Sequence, residues 1–282
     1  MSQTVADALR AGVRQLQPVL KEDANRDARV LLAHVLGQEP GRLTLVLPDP
    51  LTEQQLAEYQ ALLKRRSNRE PVSHLVGYRM FWGRKFKVSS DVLDPRPETE
   101  VIIERALKEP AHRVLDLGCG SGAILLTLLL EWPHADGVGV DLYYRAFALA
   151  ADNAKCLGLT PILLRGDWFQ PVHGTFDLIV SNPPYVTGEE YENLDPEVRE
   201  WEPKAALTPG ADGLDAYRQI ARDVGQYLTP GGRFILEIGP TQAVDVCQIL
   251  ADSGLPDAKV FQDLDGRDRV VECRKASDNR LN

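Results

Sequence analysis

Arg113-Val114-Leu115-Asp116-Leu117-Gly118-Cys119-Gly120-Ser121-Gly122 runs directly into Ala123-Ile124-Leu125-Leu126-Thr127-Leu128-Leu129-Leu130-Glu131-Trp132, and Pro133 follows. The apolar run 114–117, closed by glycines, predicts a buried strand. Residues 123–132 predict an apolar helix that the proline stops. Strand, glycine-rich turn and helix in that order make the opening unit of an open α/β sheet, whose ligands bind at the carboxyl ends of its strands. Glycines there let the backbone approach a ligand and adopt positive φ. The spacing is Gly-x-Gly-x-Gly with alanine at 123, so the dinucleotide fingerprint Gly-x-Gly-x-x-Gly is not met. Asp116 ahead of the glycines would repel a pyrophosphate, whereas a zwitterion bearing a sulfonium could be accommodated. A tight turn without a ligand is the plainer alternative.

Downstream, the pattern keeps alternating. Strands are predicted at 137–141, 161–165, 176–181, 233–238, 258–262 and 269–273. Helices are predicted at 145–157, 213–228 and 241–251, with a Pro230-Gly231-Gly232 turn between the second of these and the next strand. Together with 113–117 this predicts a doubly wound, mostly parallel seven-stranded α/β sheet with right-handed crossovers. Upstream, Val5, Leu9, Val13 and Leu16 lie on one helical face, with Ser2 as a candidate cap and Pro18 as the limit. Residues 28–36 form a second helix stopped by Gly37. Thr52 can cap a third, whose basic end (Lys64, Arg65, Arg66, Arg69) reads as complementing the helix dipole. Phe81, Trp82, Phe86 and Val88 around Gly83 predict a β-hairpin, and a helix resumes at Glu98. The expected organisation is a helical domain at 1–70, a hairpin linker at 71–97 and a catalytic domain at 98–282. The chain from about Lys275 reads as a frayed tail.

The 282 residues carry 32 basic and 41 acidic side chains, a formal charge of −9, with 44% hydrophobic residues, an ordinary soluble globular composition. The acidic balance argues against a stand-alone nucleic-acid binder, whose affinity comes from neutralising phosphates. The longest apolar stretch, residues 123–130, is too short for a membrane span, and the N-terminus carries no basic segment followed by an apolar core. Cys119, Cys156, Cys247 and Cys273 form no CxxC pair and the five histidines are scattered, so neither a metal site nor a disulfide framework is expected. A cytoplasmic location is the default. The charge is uneven: residues 1–97 carry 15 basic and 11 acidic groups, residues 98–282 carry 17 and 30. A basic helical domain that helps to dock an acidic protein partner is one reading; solvated helix faces are the other.

Four features carry candidate chemistry. Gly118, Cys119, Gly120, Ser121 and Gly122 form the turn described above. Asp141, some 20 residues on at a strand end, can accept from both hydroxyls of a ribose, or simply cap the next helix. Asp167 and Trp168 after the following strand can meet an exocyclic amine and flank a base, or make a turn. Finally, the strand 176–181 ends in Asn182-Pro183-Pro184-Tyr185. The prolines fix the backbone, so the Asn182 side chain and the Pro183 carbonyl are held as two acceptors. Two aligned acceptors bind both N–H groups of an amide or aryl amine and leave its nitrogen aimed at an electrophile. Tyr185 can stack on the planar group.

These residues resemble the class I S-adenosylmethionine-dependent methyltransferases. The likeness extends over essentially the whole chain to the PrmC/HemK family of release-factor glutamine methyltransferases. It is carried by Glu70-Pro71-Val72-Ser73-His74-Leu75, Phe81-Trp82-Gly83, Pro95-Arg96-Pro97-Glu98-Thr99-Glu100, Trp201-Glu202-Pro203, Gly210-Ala211-Asp212-Gly213, Leu236-Glu237-Ile238-Gly239 and Gly266-Arg267-Asp268-Arg269. The resemblance implies methyl transfer from S-adenosylmethionine, leaving S-adenosylhomocysteine, to the glutamine amide of the release-factor Gly-Gly-Gln motif. It implies that residues 118–122 line the methionine part, Asp141 holds the ribose, and Asp167 and Trp168 sit by the adenine. Asn182, Pro183, Pro184 and Tyr185 would bind the glutamine amide, with Arg96 nearby. Asn182, Pro183 and Tyr185 would be the catalytic group and Asn182 would also touch the cofactor. The expected protein is a monomer that meets neither nucleic acid nor membrane. Asp94 departs from the family's usual apolar residue, and Tyr143-Tyr144-Arg145 from its small-Pro-acidic turn. Competing readings are a ribosomal-protein glutamine methyltransferase, an adenine-N6 DNA methyltransferase, which would have to extrude its base, a non-catalytic cofactor-binding module, and a nicotinamide oxidoreductase.

Overall fold

A computed structural model describes residues 3–210 and 212–277. Ser2, expected as a helix cap, Ala211 of the Gly210-Ala211-Asp212-Gly213 stretch and the end of the expected tail (278–282) lie outside the described residues. Helix α1 (Val5–Leu20) is capped instead by Thr4, in a capping box: Thr4 Oγ1 accepts from the Asp7 N–H and the Asp7 carboxylate accepts from the Thr4 N–H. Pro18 does not end it. The proline sits in the last turn, where it removes one hydrogen bond, and buried Leu16 and Leu20, four residues apart, hold that turn against the core. Helix α2 (Ala24–Val35) and helix α3 (Glu53–Ser67) follow, α3 with a second capping box between Thr52 and Gln55. A 3-10 turn at Pro40–Val46 and the short helix α4 (Val72–Val76) complete the helical part. Its core joins Leu16, Leu31, Leu32 and Leu43 to Tyr59, whose hydroxyl donates to the Ala28 carbonyl.

Arg66 departs from the expected dipole role. It is fully buried, donates through Nε to Asp27 at 2.8 Å and through Nη2 to Glu197 at 2.8 Å, and reaches the Glu70 carbonyl. Glu197 comes from a later segment. The chain divides into two compact units, one running through Tyr78 and including Asp195–Trp201, the other formed by Arg79–Leu194 and the chain from Glu202 onward. The hairpin, strands β1 (Tyr78–Phe81) and β2 (Arg84–Lys87), therefore falls almost wholly in the second unit.

In that second unit, a 3-10 turn at Pro97–Thr99 leads into α5 (Glu100–Ala106). Strand β3 (Arg113–Leu117), helix α6 (Ala123–Glu131), β4 (Asp136–Asp141), α7 (Tyr144–Cys156), β5 (Ile162–Arg165) and β6 (Phe176–Ser181) then alternate. Short helices follow, α8 (Gly188–Glu192) and α10 (Lys204–Leu207) here and α9 (Pro196–Arg199) in the first unit. The unit ends with α11 (Asp215–Tyr227), β7 (Leu228–Glu237), α12 (Ala243–Asp252), β8 (Lys259–Gln262) and β9 (Asp268–Arg274). The seven strands lie in the order β5-β4-β3-β6-β7-β9-β8, parallel except that β9 runs antiparallel to both of its neighbours. Two features differ from expectation. Pro230-Gly231-Gly232 lies inside β7, where the pairing with β6 shifts register, so those residues make an irregular strand rather than a turn. The short helices between 188 and 207 have no long apolar period to announce them.

Central strands are apolar on both faces, as parallel strands covered by helices must be. Leu115, Leu117 and Ile179 join one core cluster while Val114, Leu178 and Val180 join the other, which is the two-residue period of a strand. Helix α6 is apolar nearly all round and buried nearly all round. Among the described residues no helix is long and apolar enough to cross a membrane.

Candidate active site

The chain order reverses between β3 and β6: from β3 the sheet grows to β4 and β5 on one side and to β6 and β7 on the other. In register Leu117 pairs with Ser181, so the glycine turn after β3 and Asn182 after β6 leave the sheet side by side. Ser181 Oγ donates to the Leu117 carbonyl at 2.8 Å and ties the two tips together. A cavity of about 780 Å³ opens there, entirely within the sheet-bearing unit.

The glycine loop forms one wall. Gly118 and Cys119 both donate their N–H groups to the Val140 carbonyl, and Gly118, Gly120 and Gly122 all have positive φ, which an L side chain would resist. Gly118, Cys119, Gly120 and Ser121 line the cavity, whereas Gly122 sits behind it as the cap of α6, close to Leu126 and Ala150. Asp116 does not line the cavity either. It is completely buried, accepts from the Leu125 N–H at 3.2 Å, and burial pushes its carboxyl up to about 7. Its charge is therefore not offered to a ligand in the way the sequence suggests. Burial likewise raises the Cys119 thiol well above its usual range, which makes it a packing residue rather than a nucleophile.

Asp141 lines the cavity and does two local jobs at once. Its Oδ2 accepts from the Gly120 N–H and its Oδ1 from the Tyr143 N–H, both at 2.9 Å. The carboxylate thus braces the glycine loop and starts α7 while facing the cavity. Burial raises its pKa, opposed by these backbone N–H groups. Asp167 and Trp168 are also in the lining. Trp168 has φ +43°, a left-handed conformation rare outside glycine, and its indole N–H donates to Gln219 at 2.9 Å. A ring held that way is fixed in place at a cost of order 1–3 kcal/mol. Leu142, Tyr143 and Tyr144 are exposed at the rim.

On the β6 side, Asn182 and Pro184 line the cavity; Pro183 and Tyr185 are outside its lining. Tyr185 donates its hydroxyl proton to Glu237 at 3.1 Å and accepts from Arg269 at 3.3 Å, while Gln242 donates to its carbonyl. Burial, then the neighbouring Glu237, raises the Tyr185 pKa, so the phenol stays protonated. Arg96 is also outside the lining. One guanidinium nitrogen contacts both oxygens of Glu202, at 2.7 and 2.6 Å. Burial works against its charge but Glu202 outweighs it, and the pKa is raised. The pair clamps the 202–203 segment, of which Pro203 borders the cavity. Asp94, the departure from the family pattern, is buried in the wall.

Thr99, Glu237 and Gln219 were given no role by sequence reasoning. Thr99 lines the cavity and accepts from Asn182 Nδ2; Glu237 accepts from both Thr99 and Tyr185. The signal for Glu237 was available, since it is a lone acid ending the apolar run Phe234-Ile235-Leu236.

The glycine wall, Asp141 and Trp168 converging on one cavity of nucleoside-plus-amino-acid size fit S-adenosylmethionine. The chain is matched by the family described as "PrmC N-terminal domain" over residues 7–77 and by the "Methyltransferase small domain" over residues 88–197. A curated protein of Cereibacter sphaeroides named "Release factor glutamine methyltransferase" is 53% identical over 95% of this chain and 98% of its own length. Another of that name from Rhodospirillum rubrum is 42% identical over 94% of this chain and 83% of its own. Among solved structures, a Pyrococcus furiosus methyltransferase aligns with TM-score 0.57 at 16% identity, over 76% of this chain and 99% of that one. A T. thermophilus 16S rRNA N2 G1207 methyltransferase, in complex with AdoMet and guanosine, aligns at 0.51 and 20% identity, over 70% and 49%. At those identities the solved structures speak to the fold alone.

Proposed function

The chain belongs to the release factor glutamine methyltransferase family, and from that premise we propose that it methylates the side-chain amide nitrogen (N5) of the glutamine in the Gly-Gly-Gln motif of peptide chain release factors. The observation that carries the reading is Asn182 at the tip of β6, directly beside the glycine loop at the tip of β3, in one cavity. Bound S-adenosylmethionine supplies an electrophilic methyl group on a sulfonium. Gly118 to Ser121 would take its methionine part, Asp141 its ribose hydroxyls, and Asp167 and Trp168 its base.

An amide nitrogen is a poor nucleophile because its lone pair is delocalised into the carbonyl. The residues after β6 address this by position. Asn182 Oδ1 in the lining and the carbonyl of the next residue, Pro183, just outside it, would accept the two N–H groups of the substrate amide and fix its plane, while Pro183 and Pro184 keep those acceptors rigid. Acceptors on both hydrogens also stabilise the positive charge that develops as nitrogen forms its new bond. Tyr185, anchored by Glu237 and Arg269, supports the turn from behind. The proton leaves to water after transfer. The enzyme acts as a cytoplasmic monomer, with the basic helical unit contacting the release factor and no direct nucleic-acid contact.

The test is incubation with labelled S-adenosylmethionine and a release factor, alongside the same factor with its Gly-Gly-Gln glutamine replaced. Label on the first and not on the second is expected; label that persists on the second would sink the reading. A ribosomal protein included as a competitor substrate should stay unlabelled.

A further inference from the structure

Three groups well apart in sequence form a hydrogen-bonded chain behind the cavity. Asn182 Nδ2 lies 3.2 Å from Thr99 Oγ1, and Thr99 Oγ1 lies 2.6 Å from Glu237 Oε2. Glu237 is 1% exposed at the end of β7, and its other oxygen takes the Tyr185 hydroxyl proton. Thr99 is buried in the turn before α5 and borders the cavity. Protons along this chain can be counted. Thr99 has a single hydroxyl proton, and it is donated to Glu237 Oε2. Toward Asn182, Thr99 then offers only a lone pair. The Asn182 side chain must present its NH2 to Thr99, which turns its carbonyl Oδ1 the other way. The opposite amide rotamer would set two acceptors against each other, 3.2 Å apart.

We propose that Glu237, acting through the Thr99 hydroxyl, dictates which end of the Asn182 amide faces the cavity, so that Thr99 and Glu237 are positioning residues for methyl transfer to an amide nitrogen. The inference rests on the function proposed above, because an acceptor at 182 matters only if the substrate brings N–H donors. Glu237 is placed as an acceptor by its two hydroxyl neighbours, Thr99 on one oxygen and Tyr185 on the other. Burial pushes its pKa up, but the Thr99 and Tyr185 hydroxyls and the nearby Arg269 charge oppose that push. The same carboxyl group that orders Asn182 through Thr99 also takes the Tyr185 hydroxyl, so one buried side chain sets both ends of the Asn182-Pro183-Pro184-Tyr185 turn.

The experiment is steady-state methylation of a release factor by the full-length chain, with cofactor affinity by titration and melting temperature measured on every variant. Thr99→Val keeps the shape and removes the hydroxyl. Its kcat should fall about 10- to 100-fold, the cost of a misplaced reacting group, while the cofactor Kd stays within about twofold. Thr99→Ser restores the hydroxyl and should recover at least half of that loss on a logarithmic scale. Glu237→Gln should also lower kcat, and combining it with Thr99→Val should add little, since both cut one chain. A Thr99→Val protein that melts normally and keeps its kcat overturns the proposal, as does a double variant whose losses multiply. A wild-type chain that fails to label the release factor overturns both the function and the relay; a labelling wild type with an unaffected Thr99→Val overturns the relay alone.

Discussion

Arg66 offers the sharpest test of how the helical unit is held together. Its guanidinium and the Asp27 carboxylate are each 2% exposed, and Glu197, 30% exposed, completes the group from a distant segment. Replacing Arg66 with methionine keeps most of the stem's apolar contact but strands Asp27 in the interior. Arg26 still reaches Asp27 at 3.1 Å, but it is 68% exposed and compensates little. Breaking a buried pair by removing one partner costs about 3–5 kcal/mol, largely the penalty of the orphaned charge. In a unit of this size each kcal/mol moves the midpoint by about 4–8 °C, so a separately melting helical unit should lose 12 °C or more. Removing both charges, as Arg66→Met with Asp27→Leu, should return most of the loss, because paired apolar replacements are close to neutral. Urea unfolding followed by circular dichroism, run as a double-mutant cycle, gives the coupling directly. A single-variant loss under about 1 kcal/mol, or a coupling near zero, would refute the account and return the basic end of α3 to its dipole role.

The other expectations are quickly stated. Asn182→Ala should lower kcat at least about 100-fold, in line with losing a preorganised partner of developing charge, with cofactor Kd changed less than about threefold; equal losses in titration and initial rate would count against its role. Gly213 has φ +73°, and a Cβ there would lie 2.3 Å from the Tyr185 carbonyl oxygen. Gly213→Ala should therefore cost about 2–4 kcal/mol and lower kcat by displacing the turn after β6; unchanged melting and rate would contradict this. Asp116 has its pKa raised from 3.8 to about 7 on folding. Its contribution to stability is thus fully present below pH 4 and is lost as pH rises through 7, a swing of at most about 4 kcal/mol. Asp116→Asn should gain on the wild type by about 2–3 kcal/mol between pH 5 and pH 8; a pH-independent difference between the two melts would exclude the shift.

Much of the sheet could be read because its strands are self-contained signals. Val114 to Leu117 and Phe176 to Ser181 are short apolar runs closed by glycine or proline, and their helices repeat apolar residues at helical spacing. What was missed depends on distant partners. Pro230-Gly231-Gly232 has the composition of a turn, and it lies inside β7 only as the irregularity where the pairing with β6 shifts register between Leu228 and Arg233. Arg66 looks like an ordinary end-of-helix cation until Asp27 and Glu197 are brought to it. The site divides the same way. The glycine loop, Asp141, Trp168 and Asn182 sit at strand ends and announce themselves, and the structure gathers them around one cavity. The support beneath Asn182 comes from Thr99 and Glu237, 138 positions apart, and no local pattern links them.

The pairing of β3 with β6 also has a consequence in time. The glycine loop and Asn182 meet only when Leu117 and Ser181, 64 positions apart, come into register, and closing that loop precedes any contact that rewards it. The glycine loop and the Asn182 tip are therefore brought together only by that long-range pairing. A chain that ends before β6 carries the glycine loop and lacks Asn182 altogether.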